Sequence, residues 1–123
     1  MKGHLYNMIS NLQNGQIVNK AFIINENTKI CRKLLDVLWD EGYILGYTLI
    51  SNYKLKIFLK YRSRKSVIKF IKAVSKPSLR VYYSVKELRE LDKFLILTTN
   101  KGLKTIDDCK RLHLGGEPLI EVK

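Results

Sequence analysis

Few residues of this 123-residue chain have the types that chemistry needs: His4 and His113, Cys31 and Cys109, the adjacent carboxylates Asp40-Glu41 and Asp107-Asp108, and the hydroxyl and amide run Thr98-Thr99-Asn100. Acid–base catalysis requires a titratable group within reach of a second one that orients it. Neither histidine stands in such a pattern, and His113, beside Gly115-Gly116, reads as a capping or surface residue. Each carboxylate pair lies at one end of an expected helix, and Asp107-Asp108 sit where the helix dipole favours anions without any metal. The cysteines lack close partners and neighbouring histidines, so both are expected as reduced, partly buried thiols and not as zinc ligands. No phosphate-cradling glycine loop or dinucleotide fingerprint is present. The chain is therefore expected not to be an enzyme, with no cofactor, no metal and no small-molecule substrate.

What remains is Thr98-Thr99-Asn100 with Gly102, inside ILTTNKGLKT (Ile96–Thr105). Short hydroxyls and an amide at a strand tip can approach a folded RNA closely, where long side chains would hold the backbone away. RNA's readable face is its wide minor groove with the 2′-hydroxyls, together with unstacked bases. Read alone, the run fits equally well as a turn and N-cap, with Gly102 present for a positive φ.

Charge favours the first reading. Lys and Arg total 23 against 11 acidic residues, a formal net charge of +12 and a pI near 9.8. Such a body attracts polyanions. The 45 residues between Glu41 and Glu87 hold no acid and eleven bases, interleaved with Tyr53, Phe58, Tyr61, Phe70, Tyr82 and Tyr83. A face built for solubility alone would mix signs, so this half is expected to meet phosphate. A membrane is the rival polyanion. However, no run reaches the roughly 18 apolar residues of a spanning helix, and the bases alternate on strands instead of lining one amphipathic helix. Lysines outnumber arginines 17 to 6, and isoleucine, asparagine and tyrosine are plentiful, as A/T-rich codons would give.

The elements that must position these residues follow from periodicity. Leu5, Met8, Ile9 and Leu12 predict an amphipathic helix near His4 to Asn14, stopped by Asn14-Gly15, after which QIV and AFIIN read as strand. Thr28 is placed to cap a second helix with Cys31, Leu34, Leu35 and Leu38 on its apolar face, closed by Gly42. YILGYTLI and YKLKIFLKY predict a hairpin, the second strand burying Leu55, Ile57, Leu59 and Tyr61 and turning Lys54, Lys56, Phe58 and Lys60 outward. RSRKS is the expected joint between lobes. Beyond it VIKFIKAVS, LRVYYSV, KFLILTT and PLIEV read as strands, KELREL as a helical turn, and Thr105 to Leu112 as a capped helix ended by Gly115-Gly116. The expected class is α+β in two small lobes: residues 1–62 as an N-terminal α-β-α-β-β lobe, and residues 63–123 as a mainly β, RNA-binding lobe with one short helix.

Six segments occur in an order that resembles a known family. AVSKPSLRVYYS, ILTTNKGLKTIDDCKR and LGGEPLIEV are similar to the C-terminal half of the bacterial-type small-ribosomal-subunit protein eight family, with its Ser-Lys-Pro-Gly turn followed by Arg-x-Tyr, its Ser-Thr-Ser-x-Gly loop and its Gly-Gly-Glu strand. MISNLQNG, LLDVLWDEGYILGY and KIFLKY resemble the N-terminal half, so the likeness covers nearly the whole chain. The resemblance implies a structural constituent of the small ribosomal subunit that binds the central domain of small-subunit rRNA, supports assembly and translation, and touches neighbouring ribosomal proteins. Carried over by position, Thr98, Thr99 and Asn100 take the hydroxyl loop's place with Gly102 as its hinge. Lys76 stands in the Ser-Lys-Pro turn, Tyr82 in Arg-x-Tyr, Glu117 in Gly-Gly-Glu, Asn14 at the end of the first helix, and Lys60 in Leu-Lys-Tyr. In these roles the threonines bond a base edge or 2′-hydroxyl, and Tyr82 offers a stacking plane. Glu117 accepts from a base amino group or orients Tyr82 or Lys76, while the lysines position the RNA. The sequence departs from the family at Ser78, where the turn has glycine, at Asn100, where the loop has a third hydroxyl, and at Gln13, where the helix has arginine. That drift, with the codon bias, favours a mitochondrial ribosome over a bacterial-type cytoplasmic one. The competing reading from residues alone is a small RNA-processing enzyme using Asp107 or Asp108, or another basic RNA-binding module.

Overall fold

The computed structural model describes residues 2–74 and 82–123. The chain divides into two compact units, Met1–Ile71 and Lys72–Lys123.

The first unit opens with α1 (Lys2–Ile17), which buries Leu5, Met8, Ile9 and Leu12. The expected stop at Asn14-Gly15 is corrected: the helix runs through both and takes up the first residues of QIV. Gly15 is there for packing. A Cβ on it would stand 2.7 Å from Ile23 Cγ2 and 3.2 Å from Leu59 Cδ1, so only glycine lets the helix lie this close to the sheet. The true stop is Asn19 at φ 58. Its N–H donates to the Gln16 carbonyl at 3.2 Å and the Lys20 N–H to the Gly15 carbonyl at 2.9 Å, the paired bonds of a left-handed helix end.

β1 (Phe22–Glu26) leads to α2 (Lys29–Asp40). Thr28 caps α2 by accepting from the Cys31 N–H at 3.3 Å, and Cys31, Leu34, Leu35 and Leu38 are its buried stripe, as the spacing predicts. Gly42, at φ 80, closes it with the same paired bonds, to Trp39 from its own N–H and to Leu38 from Tyr43. β2 (Ile44–Leu49) and β3 (Lys54–Leu59) form the predicted hairpin, and β3 takes the centre of a sheet ordered β1-β3-β2. Leu55, Ile57 and Leu59 are buried. On the opposite face, Lys56 Nζ lies 4.1 Å from the centre of the Phe22 ring and 5.4 Å from that of Phe58. The joint expected between lobes forms β4 (Tyr61–Arg62) and β5 (Lys65–Ser66), turned by Ser63 and Arg64 at φ 53 and 65. The first unit extends past this hairpin to Ile71, whose N–H donates to Gln13 Oε1 of α1 at 3.0 Å, and Ile68 on the way is buried.

β6 (Ile71–Ala73) begins at the last residue of the first unit and continues into the second, and less of VIKFIKAVS is strand than its β-branched content predicts. The second unit continues with α3 (Val85–Arg89), held by a reciprocal Ser84–Glu87 capping box. Then come β7 (Phe94–Thr99), β8 (Gly102–Thr105), α4 (Ile106–Leu112) and β9 (Glu117–Val122), in a sheet ordered β6-β9-β7-β8. Thr105 caps α4 by accepting from the Asp108 N–H at 3.2 Å. Leu95 and Leu97 of β7 pack with Leu88, Ile106 and Cys109 into one core. Both thiols are buried and free, and desolvation raises them above their ordinary range.

Two predictions test this packing. Glycine to alanine inside a helix ordinarily stabilises by about 0.5–1 kcal/mol, but Gly15→Ala is expected to destabilise by about 1–3 kcal/mol through overpacking, read as a lower urea midpoint. The second concerns Tyr47, whose hydroxyl donates to Asp36 Oδ1 at 2.6 Å. Desolvation, that bond and the carboxylate's charge push the phenol up from 10.0 to about 12. The neutral phenol is the donor, so the contact's stabilisation is complete below pH 10 and disappears as pH rises through about 12. Tyrosinate absorbance should show a late component near that pH, absent in Tyr47→Phe.

Candidate nucleic-acid interface

The hydroxyl run forms the tip of the β7–β8 hairpin. The register pairs Thr98 with Leu103 and Thr99 with Gly102, leaving Asn100 and Lys101 as the turn. Neither turn residue has a positive φ, while Gly102 sits at φ 98 with open space where a Cβ would go. This is the arrangement of an ordinary turn closed by a glycine bulge, so Gly102 is required for conformation and not for clearance. Thr99 supports the same turn: its hydroxyl donates to the Gly102 carbonyl at 2.8 Å and accepts from the Lys101 N–H at 3.1 Å. Its donor is thus committed inside the protein. Thr98 is exposed, and among the described residues nothing engages its hydroxyl. Asn100 and Lys101 are exposed at the apex.

β9 brings the next residues alongside. Glu117 pairs with Thr98 in register, and Tyr83 bridges Gly116 with N–H to carbonyl bonds of 2.8 and 2.9 Å. Gly115-Gly116 is not the helix stop expected. The stop is His113, left-handed at φ 56 and ψ 45, with the Leu114 N–H returning to the Cys109 carbonyl at 2.9 Å. The two glycines provide clearance. A Cβ on Gly116 would stand 2.7 Å from the Thr98 carbonyl oxygen, and one on Gly115 2.7 Å from the Tyr83 oxygen and 2.9 Å from the Tyr82 hydroxyl. Tyr82 therefore lies against bare backbone at Gly115 while 68% of its surface faces solvent. Reasoning from sequence missed both glycines and the Tyr83 bridge. The signal was available, because one left-handed residue suffices to end a helix and a second glycine asks for another explanation.

The second unit thus gathers Tyr82, Thr98, Thr99, Asn100, Gly102 and Glu117, with Lys101 as a cation at the tip. Asn14 and Lys60 belong to the first unit. Asn14 is exposed on α1 beside a cleft it lines with Lys20 and Phe22. Lys60 donates from Nζ to the Gly42 carbonyl at 3.1 Å, where a cation suits the carbonyl end of α2. Lys76 lies outside the described residues. Of the other chemical candidates, Asp108 pairs with Arg111 at 3.2 Å within α4, and His113 Nδ1 lies 3.1 Å from Arg89 Nη2. Among the described residues no group of histidine, cysteine or carboxylate side chains could hold a metal ion, and no helix is long and apolar enough to cross a membrane.

Known proteins are similar to this chain in sequence. The sequence profile of the family described as Ribosomal protein S8 matches residues 4–122. The small ribosomal subunit protein uS8m of Acanthamoeba castellanii is 33% identical over 123 residues, covering 96% of this chain and 97% of the relative. The uS8 proteins of Buchnera aphidicola subsp. Cinara cedri and Pseudomonas fluorescens are 38% and 37% identical, each over 127 residues and covering 99% of this chain and 98% of the relative. With the profile matched from the first turn of α1 to the last strand, and these identities held over nearly the full length of both partners, the chain belongs to the ribosomal protein S8 family.

Proposed function

We propose that this protein is a structural constituent of the small ribosomal subunit that binds the central domain of small-subunit rRNA through the hairpin tip of its second unit, and so supports assembly and translation. Family membership supplies the ribosomal role, and it is a structural one without catalysis. The observation that carries the finer reading is the cluster of an unengaged Thr98 hydroxyl, exposed Asn100 and Lys101, and a solvent-facing Tyr82 ring on one β-scaffold. Short polar groups backed by a ladder can reach a minor groove, and the ring gives one unstacked base a surface. Thr99 acts one step back by fixing the turn that presents its neighbours. Glu117 stands opposite Thr98, where a carboxylate selects a base amino group and repels phosphate. Asn14 adds a contact from α1, and Lys76 a phosphate contact. Lys60 serves chiefly the end of α2 through its bond to Gly42. Neighbouring ribosomal proteins complete the surroundings.

The compartment we favour is the mitochondrial ribosome, on the lysine, isoleucine and asparagine bias of the chain. Similarity does not separate the choices, since the Acanthamoeba castellanii relative and a Buchnera aphidicola relative stand at 33% and 32% identity. Fractionation decides it: the protein is expected in small subunits of mitochondria, and its recovery from cytoplasmic small subunits alone would reverse the assignment.

The RNA site is tested with the full-length protein and a central-domain rRNA fragment against bulk RNA. Specific binding is expected to fall steeply with salt. Tyr82→Ala should cost roughly 1–3 kcal/mol, or about 5- to 150-fold in affinity. Lys101→Ala should weaken all RNAs alike and reduce the salt slope by about one. If Tyr82→Ala combined with Thr98→Ala leaves selectivity over bulk RNA intact, the tip is not the reading head.

A further inference from the structure

In the first unit, β1 is an edge strand, and among the described residues no strand pairs with its outer side. The Leu59 N–H donates to the Ala21 carbonyl at 3.0 Å and the Asn27 N–H to the Tyr53 carbonyl at 2.9 Å. Together with the unbroken register from Phe22↔Phe58 to Glu26↔Lys54, these bonds fix the phase of the ladder. Odd-numbered residues bond to β3, and the main-chain groups of Phe22, Ile24 and Glu26 point away from it. The Glu26 carbonyl accepts from Asn25 Nδ2 at 3.3 Å. Among the described residues nothing bonds to the outward N–H and C=O of Phe22 and Ile24.

Proteins usually protect such an edge with proline, an edge lysine, a bulge or a covering element. Phe22–Glu26 has none of the first three. The edge opens instead onto two clefts of about 610 and 370 Å³, which share Asn11 and Ile24. Their far wall is a stripe of α1 at helical spacing, Asn7, Asn11, Asn14 and Val18. His4 closes one end by pairing with Glu26, Nδ1 to Oε2 at 2.7 Å.

We propose that this slot takes an extended segment of another protein, added to β1 as a further strand. The edge presents donors and acceptors in alternation, which only a second extended backbone matches. The phosphates of an RNA backbone offer acceptors alone, so only its 2′-hydroxyls or base edges could meet the carbonyls of Phe22 and Ile24, whereas an extended peptide supplies both partners at the strand's own spacing. The charged residues lining the slot, Lys20, Lys54 and Glu26, are of mixed sign, unlike the acid-free run of bases between Glu41 and Glu87. A second copy fits poorly, because its own β1 is recessed beside its own α1. The two walls set the sequence of the occupant. Side chains turned towards α1 meet asparagine amides and should be short and polar, while those turned the other way lie beside Phe22 and Ile24, 42% and 43% exposed, and should be apolar. The proposal is independent of the hairpin-tip RNA site in the second unit, and Asn14, which lines the slot, is the one residue it shares with the proposed RNA contacts.

The test places a photo-crosslinking benzoylphenylalanine at position 22 of the full-length protein in assembled small subunits. Mass spectrometry is expected to map the product to a polypeptide segment of alternating polar and apolar residues. Crosslinks to rRNA, to a second copy or to solvent alone would overturn the proposal. Ile24→Pro removes an outward N–H without breaking a bond to β3, so incorporation should persist while crosslink yield falls at least about tenfold. Unchanged yield would also overturn it. Should proline unfold the unit, an amide-to-ester substitution at Ile24, introduced by ligation at Cys31, removes the same donor and is read in the same way.

Discussion

The Cβ that Gly116 lacks would stand 2.7 Å from the Thr98 carbonyl oxygen, 3.0 Å from Thr99 Cγ2 and 3.4 Å from Leu97 Cβ. Three successive residues of β7 are therefore in reach of one backbone position, and the tip of the second unit depends on that clearance. With it, the Tyr83 bridge closes, β9 enters its register opposite Thr98, and Tyr82 comes to rest against Gly115. Any side chain at 116 would push β9 outward and separate the aromatic ring from the hydroxyls. Close backbone approach of this kind cannot be offset by repacking, because the obstructing atom is main chain.

The first unit uses the same device for a different end. Gly15 lets α1 settle onto Ile23 and Leu59, which brings the polar stripe of α1 alongside the edge of β1. Asn11 then reaches Asn25 at 2.8 Å, so a buried amide on the inner face of the sheet is satisfied from the helix. The helix is consequently longer than its glycine suggests, and the slot beside β1 is a result of how it packs.

Positive charge, the strongest feature of the composition, is divided among distinct tasks. Lys60 neutralises a helix end, Lys56 covers two aromatic rings, and Lys101 alone stands in the turn of the hairpin tip. In the proposed RNA complex, net charge would draw RNA in and set the salt dependence, and discrimination would fall to uncharged groups held by the sheet. Local geometry, not the total, decides what each lysine faces.

The linear sequence specifies the elements whose signals are local. Thr28 and Thr105 cap helices as their side chains predict, the Cys31, Leu34, Leu35, Leu38 stripe is buried, and the alternation of Leu55, Ile57 and Leu59 identifies a half-buried strand. It also carried enough ordered motifs to indicate the family. Tertiary structure alone decided what each glycine was for. Gly15 and Gly115-Gly116 look like stops in a linear reading, because glycine is poor in helices and common at their ends. Their contacts come from residues distant in the chain, Ile23 and Leu59 for one, Tyr82, Tyr83 and Thr98 for the others. The same holds for Thr99, whose hydroxyl type suggests recognition while its bonds to Gly102 and Lys101 make it part of the turn. Local propensity is written in neighbouring residues, but clearance and hydrogen-bond commitment exist only once distant segments meet.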